Sequence, residues 1–134
     1  METKTLVTTL AAILAAKTGW AWQPTGPDYT ESQVGIFYGS IEPSPDRAIG
    51  ITAYSATDRI DDGLAIRRVQ LRFRGAPGSK TDADEMEDVA FNVLHGLLRV
   101  AGLSSITRES NAPLPADESG RLARTASYQI IIEI

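Results

Sequence analysis

Hydrophobic and polar positions alternate most regularly from Ile66 to Gly75, where a period of two sends Val69, Leu71 and Phe73 to one side and Arg68, Gln70, Arg72 and Arg74 to the other. The pattern predicts a strand with one oily face and one face carrying guanidinium groups. Arg47 to Ala56 alternates in the same way, with Ile49, Ile51 and Ala53 opposite Thr52 and Tyr54, and Asp58 to Gly63 forms a polar turn between the two. Val34 to Ile41 reads as an earlier strand ended by Pro43 and Pro45. Three strands in succession predict an antiparallel meander.

Helical spacing appears twice. Leu6, Leu10, Ile13 and Leu14 repeat at three and four before Gly19, which predicts a first amphipathic helix. Met86, Val89, Ala90, Val93, Leu94, Leu97, Leu98 and Ala101 repeat likewise, predicting a long helix over about 82–101 that ends at Gly102 and covers the Val69/Leu71/Phe73 face. Thr81 is placed as its N-cap with Asp84 three residues on, and Asp82, Asp84 and Glu85 complement the positive end of the helix dipole. The polar segment of about 104–124, with Pro113 and Pro115, reads as a long excursion, a short strand followed by an arm. A last strand follows, with Tyr128, Ile130, Ile132 and Ile134 on its buried side. The expected fold is α/β (α+β): one domain over 1–134 with a mixed, mostly antiparallel sheet of four to five strands, covered by the N-terminal helix and the long helix.

Composition narrows the chemistry. At 134 residues and 43% hydrophobic content the chain can bury a core, and a net charge of −4 argues against gripping nucleic acid through bulk charge. Without a cysteine there is no disulfide, thiol nucleophile or Cys-based zinc site, and His95 as the sole histidine excludes multi-histidine metal centres. The run Leu6 to Ala16 resembles a secretory hydrophobic segment, but Glu2 offsets Lys4, Thr8 and Thr9 interrupt it, and it is too short to span a bilayer, so no membrane association is expected.

Catalytic constellations are sparse. His95 with Asp88 and Arg99 on the polar back of the long helix, with Phe91 beside them, is the best acid–base constellation, and Asp82, Asp84, Glu85, Glu87 and Asp88 the best carboxylate cluster. Neither comes with a phosphate-gripping glycine loop, nucleophile elbow or dinucleotide fingerprint, so no enzymatic activity, cofactor or metal is expected. Binding residues are easier to nominate: Arg68, Arg72 and Arg74 for a channel lumen or subunit contact, and Trp20, Trp22, Phe91, His95, Arg108, Asp117, Glu118 and Arg121 for partner contacts.

In order, the chain offers the N-terminal helix, Ile49-Gly50-Ile51-Thr52-Ala53-Tyr54, an Asp-rich loop, Val69-Gln70-Leu71-Arg72-Phe73-Arg74-Gly75, an amphipathic helix, a Pro-bearing arm, Asp117-Glu118-Ser119-Gly120-Arg121 and a final strand with Tyr128. That order resembles the tail terminator proteins of long-tailed bacteriophages, over roughly 45–134 by pattern. The resemblance implies a structural virion protein that forms a homohexameric ring, caps the tail tube, halts its polymerisation and presents a docking surface to the neck. Implied partners are other copies of the chain, the tube protein, a neck or head-completion protein, and DNA in transient, sequence-blind contact. The implied location is the head-proximal end of the virion tail, and the host cytoplasm during assembly. Another neck or head-completion connector is the alternative, followed by a small hydrolase or nuclease using His95 and Asp88, and then by a secreted binding domain cleaved near residues 16–21.

Overall fold

A computed structural model describes residues 1–132. Its elements are α1 (Thr3–Thr18), β1 (Gly35–Tyr38), β2 (Ala48–Asp58), β3 (Ala65–Arg74), α2 (Asp82–Leu94), β4 (Leu98–Val100), β5 (Leu103–Leu114) and β6 (Ala123–Ile132). The strands form one six-stranded sheet in the order β1-β2-β3-β6-β5-β4. Both helices pack on the same face, where the residues chosen by alternation meet: Ile49 and Ile51 of β2, Val69, Leu71 and Phe73 of β3, and Tyr128, Ile130 and Ile132 of β6, with Ala126 beside them, join Leu6, Leu10 and Leu14 of α1 and Met86, Ala90 and Leu94 of α2. No described helix covers the opposite face. Ile134 lies outside the described residues.

Four expectations are corrected. The sheet has six strands rather than four or five, because β4 and β5 occupy the stretch expected to be helix end and arm. The second helix stops at Leu94, not at 101: Gly96 turns left-handed (φ 86°), and the N–H of Gly96 and the carbonyl of Leu97 bond the backbone of Ile106. Leu97 and Leu98 keep the helical spacing, but strand pairing takes their backbone, and Leu98 is left 69% exposed. The supposed arm is β5 up to Leu114, paired with β6 from Leu103 to Leu114; its polar residues mark a half-exposed strand, not a loop. The meander expectation also fails at its first step, since β1 runs parallel to β2.

That parallel pair is joined by only nine residues, 39–47, where a parallel connection ordinarily needs a dozen or more and a helix. The short loop doubles back over the uncovered face. A Cβ on Gly50 would lie 2.3 Å from the Gly39 carbonyl oxygen and 3.0 Å from Ile41 Cγ1, so this strand position accepts only hydrogen. The helix cap differs too: Thr81 makes no side-chain cap, and Ser79 Oγ receives the N–H of Asp82 at 3.1 Å.

Candidate functional site

The arginines of β3 have three different fates. Arg68 lies on the open face and donates to Glu109 (3.2 Å) and Gln129 (3.3 Å) across the sheet. Arg72 is exposed and forms no hydrogen bond or ion pair among the described residues. Arg74 is 8% exposed. Its guanidinium donates to the carbonyls of Pro45 (2.7 Å), Glu42 (2.8 Å), Asp46 (2.8 Å) and Pro43 (3.4 Å), fastening the 39–47 loop from inside. Burial and the neighbouring Arg121 cation lower its pKa, and the four carbonyl dipoles hold the charge in place. The picture of three equivalent surface arginines is therefore corrected for Arg74, whose donors are spent within its own chain.

The segment Asp117 to Arg121 serves the same loop. Asp117 accepts the N–H groups of Ser119 and Arg121, each at 3.0 Å, and Gly120 turns left-handed (φ 74°) to close the bend. Bonds from the Arg121 backbone hold the Asp117 carboxyl below its usual range, with burial opposing and the Arg121 side chain and Ser119 N–H assisting. Arg121 then reaches the Pro43 carbonyl (2.7 Å) and Asp46 (3.1 Å). Glu118 is exposed.

Between the loop and the strands lies a polar groove of about 310 Å³, lined by Gly39, Ser40, Ile41, Gly50, Thr52, Gln70, Arg72, Arg74 and Asp117. Arg72 is its one cation without a partner among the described residues. At the opposite end of the same strands, the β2–β3 turn carries Ile60, fully exposed, beside Asp61, an exposed carboxylate with no partner among the described residues. The turn itself is braced: Arg59 N–H donates to the Leu64 carbonyl (2.8 Å), Arg67 pairs with Asp58 (2.7 Å) and Arg59 with Asp62 (3.4 Å).

Three residues nominated as separate partner contacts form a single cluster. Phe91 and His95 stack with centroids 4.5 Å apart, and the Arg108 guanidinium sits 4.1 Å from the Phe91 centroid. The Arg108 backbone N–H donates to His95 Nδ1 (3.0 Å), tying the end of α2 to β5. Beneath them is Glu87, which the sequence groups with the acids at the head of the helix although it is only 2% exposed. Its carboxylate receives Arg108 at 3.2 Å and lies 3.9 Å from Arg124. The signal was available: Ala83, Glu87, Ala90 and Leu94 follow the four-three-four spacing of a buried stripe, whereas Val89 is 42% exposed. The nearby Tyr128 hydroxyl is buried without a partner among the described residues, and burial pushes its pKa well above the ordinary tyrosine value.

The remaining acids at the head of α2 also pair inside the chain. Asp82 receives Arg47 through two bonds (2.8 and 2.9 Å) and the Ala76 N–H (2.8 Å). Burial raises its pKa, but those bonds outweigh burial and leave it below the usual value. Asp84 pairs with Arg124 at 3.3 Å. No hydrogen bond links Asp88 to His95 among the described residues, and His95 lines neither the polar groove nor the larger cavity described next.

Trp20 and Trp22 are half-buried against the core. Trp22 also lines an open cavity of about 680 Å³ beside β1, with Tyr29, Phe37 and Tyr38 among its walls. The Tyr29 hydroxyl donates to the Ile36 carbonyl and receives the Gln23 N–H (3.1 Å), so the 20–29 connector is stitched to the sheet edge. No described helix is long and apolar enough to cross a membrane.

Arg47, Arg108 and Arg121 are thus each held in ion pairs within the chain. No curated protein matches the chain. A family model described as bacteriophage tail terminator protein matches residues 13–134, from the second half of α1 through the last strand. The chain belongs to the bacteriophage tail terminator family and is a structural protein of phage tails.

Proposed function

We propose that copies of this chain close into a hexameric ring that caps the tail tube at its head-proximal end, stops tube growth and offers the surface on which the neck docks. DNA then passes through the hole. The observation that carries this reading, beside family membership, is a sheet whose uncovered face and two bare strand edges lie at different places on the molecule. β1 covers the outer edge of β2 only as far as Ile51, and β4 covers β5 only near Leu103 and Ser105. A ring needs two unlike patches per subunit, one to meet the other on a neighbour. Pro113 on the bare part of β5 lacks a donor and blunts that edge against indiscriminate pairing.

The net charge of −4 suits a passage for DNA, because such a subunit does not grip phosphates through bulk charge. The ring performs no catalysis in this reading. His95 accepts a backbone N–H and stacks on Phe91, a role in joining α2 to β5.

Assembling tails in a lysate that lacks this protein tests the reading. Tubes are expected to run past their normal length and to fail to join filled heads, with both defects reversed by adding purified protein. Tubes of normal length in its absence would contradict it.

A further inference from the structure

We propose that the β2–β3 turn of one copy seats in the polar groove of the next, with the Asp61 carboxylate meeting the Arg72 guanidinium and Ile60 meeting Ile41. This rests on the ring reading and specifies the contact that builds it. The occupant follows from charge and exposure together. Among the described residues, Arg72 is the groove's one unpaired cation, and Asp61 is an unpaired carboxylate beside an isoleucine that is 100% exposed. The other ions near each site are engaged: Arg74 by carbonyls, Asp117 by Arg121, Asp58 by Arg67 and Asp62 by Arg59. Each site therefore holds one unmatched group of opposite sign, presented with one aliphatic side chain.

A copy cannot satisfy itself. Arg72 stands opposite Gly50, and from Gly50 to Asp58 the strand runs eight residues, about 26 Å at the usual rise, before the turn begins. Turn and groove sit at opposite ends of the same strands, so the contact is head-to-tail and each added copy leaves one free turn and one free groove until rotation closes the circle. The strands then run along the circumference of the ring. The pairing also sets direction, since a turn facing a turn would bring Asp61 against Asp61 and a groove facing a groove Arg72 against Arg72.

The native chain has no cysteine, which makes cross-linking selective. Ile60→Cys protein, which keeps the Asp61 carboxylate, and Gln70→Cys protein, each full-length, are mixed with tail tubes and treated with a short bis-maleimide. The mixture is expected to give a covalent dimer at least tenfold more abundantly than either variant alone, and the double variant a ladder ending at a closed oligomer. Adding Arg72→Glu to the Gln70→Cys protein should cut the dimer at least tenfold, while Arg72→Lys should keep most of it. No dimer in the mixture, equal dimer from a single variant, or indifference to Arg72→Glu would overturn the contact. The terminator reading is scored separately by tail length. Normal-length tails capped by variants that never cross-link would sink this contact alone, and efficient cross-linking by a protein whose removal leaves tail length unchanged would sink the terminator reading alone.

Discussion

Replacing Arg74 by methionine is expected to cost about 3 kcal/mol of folding stability, while the same change at Arg68 or Arg72 costs no more than about 0.5 kcal/mol. The three residues share a strand face and a spacing, so only their surroundings separate them. Methionine keeps most of the aliphatic stem of Arg74 but removes the donors that satisfy the Glu42, Pro43, Pro45 and Asp46 carbonyls, and a buried acceptor left without a donor costs on the order of 1–3 kcal/mol. Arg68 bonds a partly exposed glutamate and glutamine that water can serve, and Arg72 bonds nothing within the described chain. Arg74→Lys should recover less than half of the loss, because a single ammonium cannot span carbonyls that the planar guanidinium reaches from two sides. Urea unfolding of the three methionine variants decides this. Equal midpoints for all three would show that the loop is not held by Arg74.

Gly50→Ala is expected to be similarly damaging, by about 3 kcal/mol or on the order of 10 °C in melting temperature. The added carbon would lie 2.3 Å from the Gly39 carbonyl oxygen, which is backbone and cannot swing aside as a side chain could. Relief requires lifting the 39–41 loop, which strains the Gly39 N–H bond to the Ile51 carbonyl (2.7 Å) and opens the polar groove. The variant should therefore lose self-association as well as stability. Gly78→Ala provides the comparison, because its new Cβ meets no atom within 4 Å and its cost comes from the left-handed backbone (φ 75°). A Gly50→Ala protein that melts within about 2 °C of the parent would refute the close approach.

The core face was legible because it depends on local period: Val69, Leu71, Phe73, Tyr128, Ile130 and Ile132 are all buried where alternation put them. The end of α2 was not, since Leu97 and Leu98 satisfy helical spacing and only the distant Ile106 backbone draws them into a strand. β5 looked like an arm because a strand with one wet face, a proline and an outer edge that β4 covers only near Leu103 and Ser105 has the composition of a loop. The site was legible in residue type more than in role. Arg72 stands open as the alternation implied, whereas Arg74 follows the same alternation and is buried by a loop whose path is set by Arg121 and Gly50. Glu87 was grouped only with the acids at the head of α2, because a charged residue in a buried stripe is read as a break in the stripe, not as the partner of arginines 21 and 37 residues further along the chain on β5 and β6.

The central claim is that this subunit closes a ring at the junction of tube and head. Cryo-electron microscopy of intact particles, with the protein carrying a small fused tag as a density marker, measures it most directly. The account predicts one hexameric layer of tagged density directly above the last tube ring and below the neck. Tagged density along the tube, within the head connector, or absent from the particle would contradict it.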